Sequence, residues 1–130
     1  MWFAAIVERD HNNARAKLIL KDAIGPLVIT DHILVETWSL LSSRHRHDAA
    51  EAFWRRVREG LALMEKVTAL DLDIAWTIGD TFSDQDFSLV DRTSFVVMER
   101  LGITSAASFD DDYIVYRYGP RRHRAFQIVR

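Results

Sequence analysis

Four short apolar runs, separated by segments of helical character, constrain the fold of this chain more than any other feature of its sequence. Each run is rich in aliphatic or aromatic residues and too short for a buried helix, so each is predicted to be a strand. Strands that alternate with helices are typical of an α/β domain with a mostly parallel sheet. The predicted strands cover residues 27–30, 67–70, 103–109 and 125–129.

Capping residues and glycines mark the ends of the predicted helices. Asn12 and Asn13 are placed to cap the first helix, and Asp31 and Asp48 to cap the second and third. Residues 83–86 are predicted to form a loop, because they are polar and lie between two helices. In this fold class ligands bind beyond the carboxyl ends of the strands. The predicted helices cover residues 14–22, 31–42, 48–58, 73–79 and 88–102.

The composition is that of one globular domain spanning residues 1–130. The chain is 48% hydrophobic and 28% charged, which argues against disorder and allows a sizeable core. No apolar run approaches the roughly 18 residues of a membrane span. The absence of cysteine excludes disulfides, thiolate metal sites and cysteine nucleophiles. We therefore expect a cytoplasmic protein that does not contact membranes.

Charge is distributed unevenly, although the net charge is only −2. Between Asp71 and Asp91 there are six acidic residues and no Lys or Arg, and residues 110–112 add three more. Separate acidic and basic patches suit a metal centre beside a surface that binds a polyanion, although ordinary solvated faces explain the same pattern. The basic residues include Arg44, Arg46, Arg55, Arg56, Arg58, Arg117, Arg121, Arg122, Arg124 and Arg130.

Acidic residues follow two predicted strands and begin one predicted helix. Glu36 lies roughly 40° from Leu40 on a helical wheel, so it is expected to be half buried at the edge of an apolar face. Asp91 is the third residue after Ser88, in the pattern of a capping box, and residues 110–112 end a strand. An ion pair at the protein surface would also explain Glu36, a helix cap would explain Asp91, and a solvated turn would explain residues 110–112. If they converge, their oxygens suit Mg²⁺ or Mn²⁺.

Three blocks of the sequence together carry a family resemblance. Residues 30–41, 82–95 and 101–110 resemble, in order and spacing, three blocks of the PIN-domain ribonucleases, in particular the VapC-type toxins of prokaryotic toxin–antitoxin pairs. The resemblance implies a three-layer α/β/α sandwich, an Mg²⁺- or Mn²⁺-dependent endoribonuclease, a homodimer, and a VapB-like antitoxin that blocks the site. By position, the acidic metal ligands would be Glu36, Asp91 and Asp110, with Asp112 as an auxiliary ligand and Asp84 as a further one.

The resemblance also implies a substrate and a mechanism. A metal-activated water would hydrolyse phosphodiester bonds of tRNA or another structured RNA, preferably in unpaired loops, and arginines outside the acidic centre would neutralise phosphates. In the family a first strand with a metal-binding aspartate precedes the segment that residues 2–10 resemble, so we expect it upstream of Met1. Two alternatives stay open, a catalytically inactive PIN-like binding module and a small metal-dependent phosphatase.

Overall fold

The computed structural model describes all 130 residues, which pack into two compact units. The first unit comprises Met1–Lys66 together with Arg130, and the second comprises Val67–Val129. None of the helices is both long enough and apolar enough to cross a membrane. The expectation of a single PIN-like domain over residues 1–130 stays a prediction.

The first unit contains four helices and one pair of strands. Strand β1 pairs in parallel with strand β2, with Val28 opposite Leu63 and Thr30 opposite Glu65. Two long helices lie between these strands in the sequence, as a parallel crossover requires. The elements are α1 (Trp2–Ile6), α2 (Asn13–Asp22), β1 (Val28–Thr30), α3 (Asp31–Arg44), α4 (His47–Arg58) and β2 (Leu63–Glu65).

The second unit repeats this combination of helices and parallel strands. Strand β3 pairs with strand β4, with Ser105 opposite Gln127 and Ala107 opposite Val129. The parallel pairing confirms the predicted α/β class, and in each unit the sheet has two strands. The elements are α5 (Ala69–Thr81), α6 (Leu89–Leu101), β3 (Ser105–Ala107), α7 (Asp112–Val115), a 3₁₀ turn (Pro120–Arg122) and β4 (Gln127–Val129).

Each unit has its own apolar core. In the first unit, Ile29 of β1 packs with Leu41 of α3 and Phe53 of α4, and all three are buried. The core of the second unit is mainly aromatic. Phe95 of α6 is fully buried and stacks on Tyr116 with the ring centroids 4.2 Å apart, a geometry that adds to the hydrophobic gain of burial.

The predicted strand over residues 67–70 is wrong, because this segment begins helix α5. The Thr68 hydroxyl accepts from the Asp71 backbone N–H at 3.1 Å, and the Asp71 carboxylate accepts from the Thr68 N–H at 2.9 Å. This reciprocal capping box outweighs the strand preference of Val67 and Thr68. The strand that pairs with β1 is instead Leu63–Glu65, and α5 extends beyond the predicted 73–79 at both ends.

Two predicted N-caps are also corrected. Thr30 rather than Asp31 caps α3, because its hydroxyl accepts from the Ile33 N–H at 3.1 Å. Helix α4 begins at His47, so Asp48 lies within its first turn instead of preceding it. Asn12 occupies the predicted N-cap position of α2 but makes no side-chain capping hydrogen bond, and the Asn13 amide donates to backbone carbonyls within α1 and just beyond it.

Candidate metal centre

Three of the predicted metal ligands come together in the second unit. Asp91, Asp110 and Asp112 each place a carboxylate oxygen within 4.8 Å of the other two. Asp91 and Asp112 are half buried, and Asp110 is exposed. Hard divalent cations prefer carboxylate oxygens, so this group has the donor chemistry of an Mg²⁺ or Mn²⁺ site. We call these three residues the carboxylate cluster.

Asp91 is positioned by the N-terminal cap of α6. The Ser88 hydroxyl accepts from the Asp91 backbone N–H at 3.1 Å, which is the first half of the predicted capping box. The helix then continues to Gly102, whose φ of 69° makes it a left-handed C-cap. Because the cap fixes the first turn of α6, the Asp91 carboxylate has a defined position at the helix N-terminus.

Asp110 and Asp112 are positioned by the turn that follows β3. The Ser108 hydroxyl accepts from the Asp110 N–H at 3.0 Å, and the Asp110 carboxylate accepts from the Asp112 N–H at 2.9 Å. Helix α7 begins at Asp112, and its Tyr113 packs edge-on against Phe95 of α6 at 5.0 Å. This aromatic contact joins α7 to α6 and so brings the turn close to Asp91.

The electrostatics of the carboxylate cluster are those of a site with excess negative charge. Partial burial raises the pKa of Asp91 to about 7, with further contributions from a hydrogen bond with Asp112 and from the charge of Asp110. The helix N-terminus, which normally favours an ionised carboxylate, does not offset these effects. Burial and the two neighbouring carboxylates therefore favour the protonated form of Asp91, and a cation held by the three carboxylates would relieve the repulsion between them.

The structure leaves two predicted ligands outside this cluster. Asp84 is exposed in the loop before α6, where the Gln85 amide donates to its carboxylate at 3.5 Å. Glu36 lies on α3 in the first unit and is exposed, so the expectation that it is half buried is wrong. The buried face of α3 is centred on Leu34, Thr37 and Leu41, roughly 130° from Glu36, rather than on Leu40.

The acidic stretch from Asp71 to Asp91 is not one solvated patch. Asp71 is 1% exposed, and its carboxylate accepts two hydrogen bonds from the Arg100 guanidinium, at 3.0 Å and 2.9 Å. This ion pair ties α5 to α6 and removes Asp71 from any metal role. The pattern Thr68-x-x-Asp71 is a local sequence signal for the capping contact of Asp71, whereas no local signal indicates the ion pair between Asp71 and Arg100.

Ser108 and Tyr113 were not identified from the sequence, although both position the cluster. Ser108 lies two residues before Asp110, and an Asp or Ser that accepts a backbone N–H two residues later is a recognisable turn signal. The contact between Tyr113 and Phe95 joins residues 18 positions apart and has no local signal.

A family model, two sequence relatives and a solved structure all match this chain. The PIN domain family model matches residues 1–118. The 23S rRNA-specific endonuclease VapC20 of Mycobacterium tuberculosis, in strains CDC 1551 / Oshkosh and ATCC 25618 / H37Rv, is 39% identical over 112 residues, covering 86% of this chain and 86% of the relative. The crystal structure of M. tuberculosis VapC20, described as a Sarcin-Ricin loop cleaving toxin, superposes with a TM-score of 0.81 at 33% identity, covering 85% of each chain.

Proposed function

This chain belongs to the PIN-domain family and to its VapC-type toxins, and on that basis we propose that it is a metal-dependent endoribonuclease, the toxin of a VapBC-type toxin–antitoxin system. The family and its α/β fold, both predicted from the sequence, are confirmed. The observation that supports the proposed chemistry best is the convergence of Asp91, Asp110 and Asp112 within 4.8 Å.

The carboxylate cluster fits a hard divalent cation. Asp91, Asp110 and Asp112 would hold Mg²⁺ or Mn²⁺, because their oxygens match the preference of these ions and lie within 4.8 Å of one another. When bound, such an ion supplies a water of lowered pKa and stabilises charge on the phosphoryl oxygens. The Ser88 and Ser108 hydroxyls keep the backbone of the cluster in place.

Glu36 and Asp84 enter the proposal on the family resemblance. Glu36 would be a further acidic residue of the catalytic set, because its block over residues 30–41 resembles the family's first acidic block. Asp84 would be an auxiliary acid. We expect Glu36→Gln to abolish RNA cleavage and Asp84→Asn to retain most of it, because the resemblance assigns Glu36 to the catalytic acids and Asp84 only to the auxiliary ones.

The proposed substrate is a structured RNA cut in an unpaired loop. The relatives named VapC20 are 23S rRNA-specific, and one is described as cleaving the Sarcin-Ricin loop. By this similarity 23S rRNA is the first substrate to test, with tRNA as the next. Unpaired loops can splay their bases into a site that a regular RNA duplex cannot enter.

The proposed partners follow from the same family. A VapB-like antitoxin would cover the carboxylate cluster and present an arginine to it, because a guanidinium neutralises paired carboxylates through charge-assisted hydrogen bonds. We also propose that the protein acts in the cytoplasm as a homodimer. Co-purification from cells that express the neighbouring genes tests the antitoxin, and light scattering tests the dimer.

The experiment that tests the activity is cleavage of purified 23S rRNA by the full chain with Mg²⁺ or Mn²⁺. Asp91→Asn should abolish cutting, because asparagine keeps the size of the side chain but loses the charge that a cation needs. Asp86→Asn is the matched control, since Asp86 is an exposed aspartate close in sequence that lies outside the cluster.

The outcomes separate the alternatives. Equal cleavage by Asp91→Asn and the parent would contradict the metal-site assignment. RNA binding without cleavage would favour the inactive binding module, and hydrolysis of mononucleotides without action on RNA would favour the phosphatase.

A further inference from the structure

A compact arginine-rich turn lies between α7 and β4 in the second unit. Tyr118 and Arg124 form an antiparallel bridge that closes it, with Tyr118 N–H donating to Arg124 C=O at 2.9 Å and Arg124 N–H donating to Tyr118 C=O at 3.1 Å. We call residues 117–124 the basic loop. Its four arginines are Arg117, Arg121, Arg122 and Arg124.

The backbone of the basic loop is held in an unusual conformation. Arg121 and Arg122 have φ values of 55° and 53°, in the left-handed region that non-glycine residues seldom adopt. Gly119 has a φ of 75°, and a Cβ added there would lie 3.0 Å from Cδ of Arg124. Strained backbone of this kind is maintained by its surroundings and is concentrated at ligand-binding sites.

The arginines of the basic loop have no carboxylate partners in ion pairs. Arg117 donates to the carbonyls of Val115 and Tyr116, at the end of α7. Arg122 donates to the Thr81 hydroxyl at 3.4 Å and lies over the Phe82 ring at 5.1 Å. These contacts orient guanidinium groups without neutralising their charge, which leaves the loop positively charged.

The basic loop is connected to the carboxylate cluster through one short helix. Helix α7 begins at Asp112, a member of the cluster, and Arg117 caps its C-terminal end. Given the rise of a helix and the reach of an extended chain, Gly119 lies no more than about 20 Å from Asp112. A polyanion that reaches the cluster can therefore contact the loop within the same unit.

We infer that the basic loop binds phosphates of the RNA backbone and holds the strand beside the carboxylate cluster. The inference rests on the proposed function, because RNA is the polyanion that this function would bring to the site. Guanidinium groups match phosphate with paired hydrogen bonds, and unpaired arginines release counterions from a polyanion on binding. RNA is favoured over an acidic protein segment, because the proposed function brings an RNA backbone to the carboxylate cluster, within about 20 Å of the loop.

The test is RNA binding by the full chain in EDTA, which prevents cleavage. A fluorescein-labelled hairpin RNA is titrated at several KCl concentrations and followed by anisotropy. The association constant K falls as KCl rises, so a plot of log K against log [KCl] has a negative slope. The double variant Arg121→Gln/Arg122→Gln should make this slope less negative by roughly 1.4 and weaken binding about tenfold at low salt. The matched control is Lys17→Gln/Lys21→Gln, which removes the same charge from the exposed side of α2 and should bind like the parent.

A single variant keeps the inference testable if the double variant does not fold. The Arg121 side chain makes no hydrogen bond or ion pair, so Arg121→Gln should fold normally and still make the slope less negative by about 0.7. Arg121→Lys keeps the charge and should retain the parent slope.

The outcomes distinguish this inference from the proposed function. Equal slopes and affinities for the parent and Arg121→Gln would overturn the inference even if the parent cleaves RNA. In a parallel titration with fluorescein-labelled polyglutamate, weaker binding by Arg121→Gln together with unchanged RNA binding would overturn the inference in favour of an acidic protein partner. A loop-dependent salt slope without metal-dependent cleavage would support the inference while contradicting the proposed function.

Discussion

Replacing Asp91 by asparagine should make the metal-free protein more stable at neutral and alkaline pH, although it should abolish activity. The pKa of Asp91 is about 7 in the folded protein, raised by burial and by its two acidic neighbours, against an ordinary value of 3.8. Because the folded state favours the protonated form, the free energy of unfolding falls as the pH rises from about 4 to about 7. Asparagine does not ionise and avoids this loss.

The magnitude follows from the size of the shift. A change of about three pKa units corresponds to about 4 kcal/mol as an upper limit. Solvent access to a half-buried side chain reduces this value, and the variant also loses a favourable interaction of about 0.3–1 kcal/mol with the helix N-terminus. We therefore expect Asp91→Asn to raise the free energy of unfolding by about 2 kcal/mol at about pH 8, with little difference at about pH 4.

The assay is urea unfolding of the full chain in EDTA at both pH values, with Asp86→Asn as the control for loss of one exposed aspartate. A second series with Mg²⁺ should reverse the order of stability, because an ion that binds only the folded parent adds about 2.7 kcal/mol at a hundredfold excess over its dissociation constant. An Asp91→Asn protein that is less stable than the parent at about pH 8 without metal would refute the reasoning.

Two further changes test the packing that positions the site. Asp71→Ala should lower the free energy of unfolding by about 3 kcal/mol in urea, because it leaves Arg100 without its buried partner. Burial alone would raise the pKa of Asp71, but hydrogen bonds from Arg100 and Thr68 outweigh this effect and hold the pKa below its ordinary value. The stabilising contribution of the pair should therefore be lost as the pH falls below about 4. Phe95→Ala should cost about 3–5 kcal/mol in thermal unfolding, and Phe95→Leu should cost clearly less.

Local sequence signals predicted the helix that carries Asp91. Ser88, three residues before Asp91, and Gly102 at the far end determine where α6 starts and stops, and both act through contacts within a few residues. The same kind of signal is present in Thr68-x-x-Asp71, in the segment that was predicted as a strand over residues 67–70. The alternation of strands and helices was enough for the fold class, because it reflects how short elements cover a sheet.

Which acids belong to the carboxylate cluster was decided by tertiary packing. Asp84 and Asp112 each lie in an acidic stretch of the sequence, yet only Asp112 lies within reach of Asp91. The difference arises because Tyr113 packs on Phe95 and carries the start of α7 toward α6. Contacts between aromatic side chains distant in sequence leave no periodic pattern that could predict them.

Sequence patterns alone predicted the α/β class, the helix that carries Asp91 and the family of this protein. The exposure of Glu36, the burial of Asp71 against Arg100 and the raised pKa of Asp91 follow from tertiary packing. Caps and strand patterns depend on neighbours along the chain. Burial and the mutual repulsion of carboxylates depend on distances between segments, which are set when the aromatic core of the second unit packs.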